Sequence, residues 1–94
     1  MKFALAIEKD EQTDYGVIIP DLPGCHSWGK TIDHACENAK EAILGHVDVL
    51  FEFDPSAVQT IHPKGIIRHR LNPEYAAAEW REVEVDLTRF GLPS

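Results

Sequence analysis

No stretch of this 94-residue chain approaches the ~20 continuous apolar residues that a membrane-spanning helix needs. The opening apolar run, residues 3–7, is followed at once by charge, so it does not read as a signal peptide. Cysteine is scarce: Cys25 and Cys36 alone cannot make a disulfide framework. Both absences place the chain in the reducing cytoplasm as an expectation. The five histidines show no HxxxH or HExxH spacing and the cysteines no CxxC, so no metal and no cofactor is expected. Positive charge is short as well. Nine Lys and Arg stand against sixteen Asp and Glu, a net charge of −7. Nucleic acid is a polyanion that demands a basic surface, so direct binding to it is not expected. A basic protein is the natural partner.

The deficit of positive charge is uneven. Residues 64–70 (KGIIRHR) hold Lys64, Arg68 and Arg70, a local excess that reads as a solvated loop rather than a phosphate-binding patch. Elsewhere acids dominate. Length and composition otherwise describe one globular domain with a thin core.

What is present is periodic. Residues 2–9 alternate, with Phe3, Leu5 and Ile7 on one face and Lys2, Ala4, Ala6 and Glu8 on the other, which predicts a strand. Asp10–Asp14 reads as a turn and Tyr15–Ile19 as a second strand. Pro20, Leu22, Pro23 and Gly24 surround Asp21 in a structural turn, with Pro23-Gly24 suited to the centre of a type II turn. Cys25–Gly29 reads as a short third strand. Thr31 is a good N-cap, and Ile32, Ala35, Cys36, Ala39, Ile43, Val47 and Leu50 then recur on one helical stripe that Pro55 ends. Residues 54–72 read as a connector. Asn72-Pro73 opens a short helix over Pro73–Ala78, and Glu82–Thr88 alternates as a final strand. The expected fold is α+β. A three-stranded antiparallel N-terminal meander carries the main helix on one sheet face, followed by the short second helix and a further C-terminal strand.

Five residues stand out as partner contacts. Glu82, Glu84 and Asp86 share one face of the last strand. Such a row either solvates and guards a strand edge or steers a basic partner. Trp28 is a core or rim aromatic that can anchor an interface. Asp21 either caps its turn or offers its charge to a partner. Trp80, between the short helix and the last strand, reads as a core plug. Cys25-His26 do not make a nucleophile and base, because neighbours on a strand diverge, and Cys36 reads as core.

These pieces together resemble the N-terminal domain of the HicB antitoxins. The resembling marks are Tyr15-Gly16, Pro20-Asp21-Leu22-Pro23-Gly24-Cys25, Gly29, Thr31, Glu37-Asn38-Ala39 and Glu41-Ala42-Ile43. Asn72-Pro73-Glu74-Tyr75-Ala76 and Val83-Glu84-Val85-Asp86-Leu87-Thr88 continue them in order. The resemblance implies a degenerate ribonuclease-H-like fold without catalysis. It implies an antitoxin that covers HicA, a small basic toxin that cleaves mRNA with a histidine. It implies a single antitoxin domain over residues 1–90. A homo-oligomer is expected as well. In the family a DNA-binding segment follows the last strand, so residues 91–94 are expected to be a tail and operator binding is not expected of these 94 residues. Transcriptional autoregulation would belong to a longer form. A runner-up is a residual Mg²⁺-dependent ribonuclease-H-like hydrolase, which needs carboxylates converging from several elements. A third reading is a module that self-associates through a sheet edge.

Overall fold

The computed structural model describes residues 1–9, 11 and 14–93. Four strands form one antiparallel sheet: β1 (Lys2–Lys9), β2 (Tyr15–Ile18), β3 (His26–Gly29) and β4 (Glu79–Glu84), in the order β3-β2-β1-β4. Most of the predicted turn over Asp10–Asp14 lies outside the described residues. β1 is central because both of its faces are apolar. Phe3, Ala4, Leu5, Ala6 and Ile7 are all buried, the pattern of a strand covered on two sides. Ala6 pairs with Ile18 on one side and with Trp80 on the other.

The turn between β2 and β3 follows its sequence chemistry. Cys25 N–H donates to the Leu22 carbonyl at 2.9 Å across Pro23-Gly24, and Gly24 sits at φ 86°. That is the hydrogen bond and the positive φ of a type II turn.

Helix α1 (Ile32–Phe53) begins where Thr31 predicts, its hydroxyl accepting from His34 N–H at 3.0 Å. Ala35, Ala39, Ile43 and Val47 form the ridge that meets the sheet. Burying Ile43 and Val47 contributes about 1.5–3 kcal/mol each, less the entropy of ordering them. The alanines let the helix come close to β3, where Gly29 faces the first helical turn. Asn38 Nδ2 adds a hydrogen bond to the Trp28 carbonyl at 2.7 Å. Cys36 is only half-buried, at the margin of the stripe rather than in its centre.

Three expectations about the second half are corrected. The connector over 54–72 contains two single-turn helices, α2 (Pro55–Val58) and α3 (Ile66–His69), each too short to leave a period in the sequence. The helix expected over Pro73–Ala78 is a three-residue 3-10 turn, Pro73–Tyr75, although Asn72 does cap it through Glu74 N–H at 3.0 Å. The last strand begins three residues earlier than Glu82 and ends at Glu84. β1 provides the reason: pairing runs along its length, from Lys2 opposite Glu84 to Ile7 opposite Glu79. Trp80 therefore lies within β4 and is half-buried there.

Alternation nevertheless persists past the strand end, with Val83, Val85 and Leu87 buried. Val85 N–H donates to the Met1 carbonyl and the N-terminal ammonium donates back to Val85, each at 2.9 Å. Packing also runs past residue 90. Phe90 and Leu92 are buried, and the Phe90 ring lies 5.5 Å from that of Phe51.

Candidate protein-binding surface

Period-two geometry splits the sheet into two faces. One carries Phe3, Leu5, Ile7, Val17 and Val83 and is closed by α1. The other carries the alanines of β1, Gly16 and Ile18 of β2, His26 and Trp28 of β3, and Trp80, Glu82 and Glu84 of β4. This second face is half covered and half open.

The covered half is built around Asp21. Its side chain is 3% exposed, and His69 Nε2 lies 2.9 Å from its Oδ1. The Lys64 amide donates to the same oxygen at 3.0 Å. The other oxygen, Oδ2, is buried without a hydrogen-bond partner among the described residues. The His69 ring stacks on Trp80, with centroids 6.3 Å apart and planes at 12°. Tyr75 meets Trp80 edge-on at 5.7 Å. Together these contacts lash α3 over β1 and β4, and Ala4 and Ala6 are small enough to admit it. Two residues of the 64–70 segment thus serve structure: Lys64 through its backbone and His69 through its ring.

The open half is a groove of about 610 Å³ over β1, β2 and β3. Ala6, Gly16 and Ile18 line it, with Trp28 and His26 on one side and Tyr75 and Glu74 on the other. Glu8 also contributes to its rim. Trp28 remains 54% exposed, its ring edge-on to His34 at 6.2 Å. Burial raises the Tyr75 phenol above its ordinary pKa, and the charges of Glu74 and Asp21 add to the effect.

Of the five residues singled out in the sequence, Trp28, Glu82 and Glu84 are exposed on this second face. They lie at opposite margins of the sheet, because β3 and β4 are its two edge strands. Three inter-strand steps separate them, about 14 Å. Asp86 is exposed but engaged. It accepts from the Thr88 hydroxyl at 2.6 Å and the Thr88 amide at 3.0 Å, and these bonds hold its carboxyl below the usual aspartate value. Asp21 points inward to His69, which uses its charge within the molecule. Sequence reasoning did not find Gly16, Glu8, Glu74 and Tyr75 as groove residues. Alternation marks Glu8 and Gly16 for this face, but only the path of the connector brings Glu74 and Tyr75 to it.

Burial raises the thiol pKa values of Cys25 and Cys36 above their ordinary value, which lowers their nucleophilicity at neutral pH. Among the described residues no three His, Cys, Asp or Glu side chains gather as metal ligands do. No helix among the described residues is long and apolar enough to cross a membrane.

Comparison with known proteins gives a consistent picture. A family model described as "HicB_like antitoxin of bacterial toxin-antitoxin system" matches residues 3–92. The crystal structure of the N-terminal domain of the Burkholderia pseudomallei antitoxin HicB superposes with a TM-score of 0.76 at 42% identity. That match covers 93% of this chain and 100% of the other. The B. pseudomallei antitoxin HicB gives a TM-score of 0.79 at 41% identity, covering 100% of this chain and 70% of the other. A UPF0150 protein of Archaeoglobus fulgidus is 51% identical over 49 residues, which is 52% of this chain and 71% of that protein.

Proposed function

Because the chain belongs to the HicB-like antitoxin family of bacterial toxin-antitoxin systems, we propose that it binds a small, basic, HicA-like mRNA-cleaving ribonuclease and occludes the surface which that toxin uses on RNA. The observation that carries this reading is the display of carboxylates on the second face, opposite the one that α1 closes. Glu82 and Glu84 stand exposed on edge strand β4, opposite Ala4 and Lys2, in a chain of net charge −7. A toxin that binds RNA presents cations where phosphate would lie, and carboxylates at those positions compete for them. The chain itself does no chemistry in this reading. Residues 1–90 act as the toxin-binding unit in the cytoplasm, as a homo-oligomer, and operator binding is assigned to none of them.

The test is kinetic. Glu82→Lys with Glu84→Lys should slow association with the HicA-like toxin by about tenfold or more at low salt, an effect that shrinks as added salt screens it. Stopped-flow association at two ionic strengths measures this, with protection of mRNA from cleavage as the functional readout. An on-rate that ignores both substitutions removes the acidic edge from the reading. Failure of the wild-type chain to bind the toxin removes the reading as a whole.

A further inference from the structure

We propose that the open groove over β1–β3 is a receptor slot for one arginine side chain of the basic partner. This rests on the antitoxin reading and adds to it the chemistry that the partner must present. Four features of the groove point the same way.

The first is space left by Gly16. This residue has an ordinary φ, and a Cβ added to it would meet only the Glu8 carbonyl oxygen, at the ordinary contact distance of 3.8 Å. Neither backbone conformation nor close approach calls for glycine here. Its effect is to leave a notch in the sheet surface between Glu8 on β1 and Trp28 on β3, its neighbours across the ladder.

The second is the pair of aromatic side chains. Trp28 stands 54% exposed on one side, where a ring of that size pays for its contact with water. Tyr75 faces the groove from the other side, anchored edge-on against Trp80. A flat guanidinium stacks on such rings and is attracted by their negative faces.

The third is charge. Among the described residues, Glu8, Asp14 and Glu74 line the groove against one lysine, Lys9, whose ammonium already rests 5.5 Å above the Tyr15 ring. Neither Glu8 nor Glu74 makes an ion pair with another described residue. A carboxylate receives a guanidinium through two parallel hydrogen bonds, which a lysine ammonium cannot match. The same carboxylates repel phosphate, which disfavours a stacked nucleotide as the occupant.

The fourth is size. At about 610 Å³ the groove falls within the range of roughly 300–1,000 Å³ that binding sites occupy, room for a long side chain and the backbone that bears it.

The probes are two capped peptides, acetyl-Gly-Arg-Gly-amide and its citrulline counterpart, which keeps the shape and loses the charge. Titrated into the labelled chain, the arginine peptide should shift the Gly16 amide and the Trp28 indole N–H. The citrulline peptide should bind about tenfold more weakly or worse. Gly16→Val, which suits a strand and fills the notch, should abolish the shifts while its melting curve stays cooperative. Equal response to both peptides, or none at millimolar concentration, overturns the proposal. So does a shift that grows with protein concentration alone and vanishes in Arg68→Glu with Arg70→Glu, since that assigns the groove to a second copy of this chain. The whole toxin separates this inference from its premise. Equal binding to wild type and Gly16→Val overturns the slot and leaves the antitoxin reading standing. No binding to wild type overturns the reading itself and the partner named here.

Discussion

Gly29→Ala should cost the domain at least about 3 kcal/mol, the upper end of what overpacking usually costs. Gly29 ends β3 in an ordinary strand conformation, so the matter is space alone. A Cβ there would overlap the Ala35 backbone nitrogen and lie 2.6 Å from the Ala35 Cα and 2.8 Å from the His34 carbonyl carbon. These are backbone atoms in the first turn of α1 and cannot rotate aside. The helix would have to retreat, yet its N-terminus is pinned by the Thr31 cap and by Asn38 bonding the Trp28 carbonyl. Retreat would also open the contact made by Ala35 and Ala39, both fully buried. A domain of this size holds roughly 5–15 kcal/mol in total. Each kcal/mol moves its melting temperature by about 4–8 °C. The variant should therefore melt at least ~12 °C below the parent or fail to fold. A melting temperature within two degrees of the parent would show that the helix accommodates the methyl and that the close approach does not constrain it.

His69→Ala should destabilise the domain by about 2–3 kcal/mol, the value of a hydrogen bond to a charged group. Asp21 Oδ1 would keep only the Lys64 amide, and Oδ2 has no described partner to compensate. Trp80 would lose the ring stacked upon it. The cost is moderated because His69 is 13% exposed, so water can enter the space it leaves. Asp21→Asn behaves differently. Its amide oxygen can still accept from both donors while the buried charge is gone, so the change should stay under about 1 kcal/mol. A double-mutant cycle between His69→Ala and Asp21→Ala, read by urea denaturation, measures the coupling. Additive effects would mean that the two side chains do not act as a pair. The pair holds the connector over half of the second face and leaves the other half open, which is what the proposed slot requires.

The elements read correctly in the sequence are those whose periods run long. Eight residues of β1 and the stripe from Ile32 to Leu50 repeat often enough for alternation and helical spacing to be unambiguous. The turn at Leu22–Cys25 was legible because proline and glycine each demand one backbone geometry. The connector was not. Helices of four residues carry no period, and their place is set by contacts such as His69 with Asp21, 48 residues away. The start of β4 was misplaced for a related reason. Glu79, Trp80 and Arg81 alternate in the opposite phase to Val83 and Val85, which hides them from the period of the last strand, and the ladder to β1 draws them into it.

The surface divides in the same way. Parity along a strand put Glu82 and Glu84 on one face, and the motifs from Tyr15 to Ile43 named the family, since both depend on residues near one another in the chain. Which sheet face stays open, that Asp21 turns inward, and that Tyr75 and Glu74 join Trp28 and Glu8 around a glycine notch were decided only by the tertiary structure. The physical reason is range. Backbone geometry couples residues two to four positions apart, and a sequence shows that coupling directly. The groove depends on where a connector of about twenty residues comes to rest, and that is the net result of weak contacts between segments far apart in the chain.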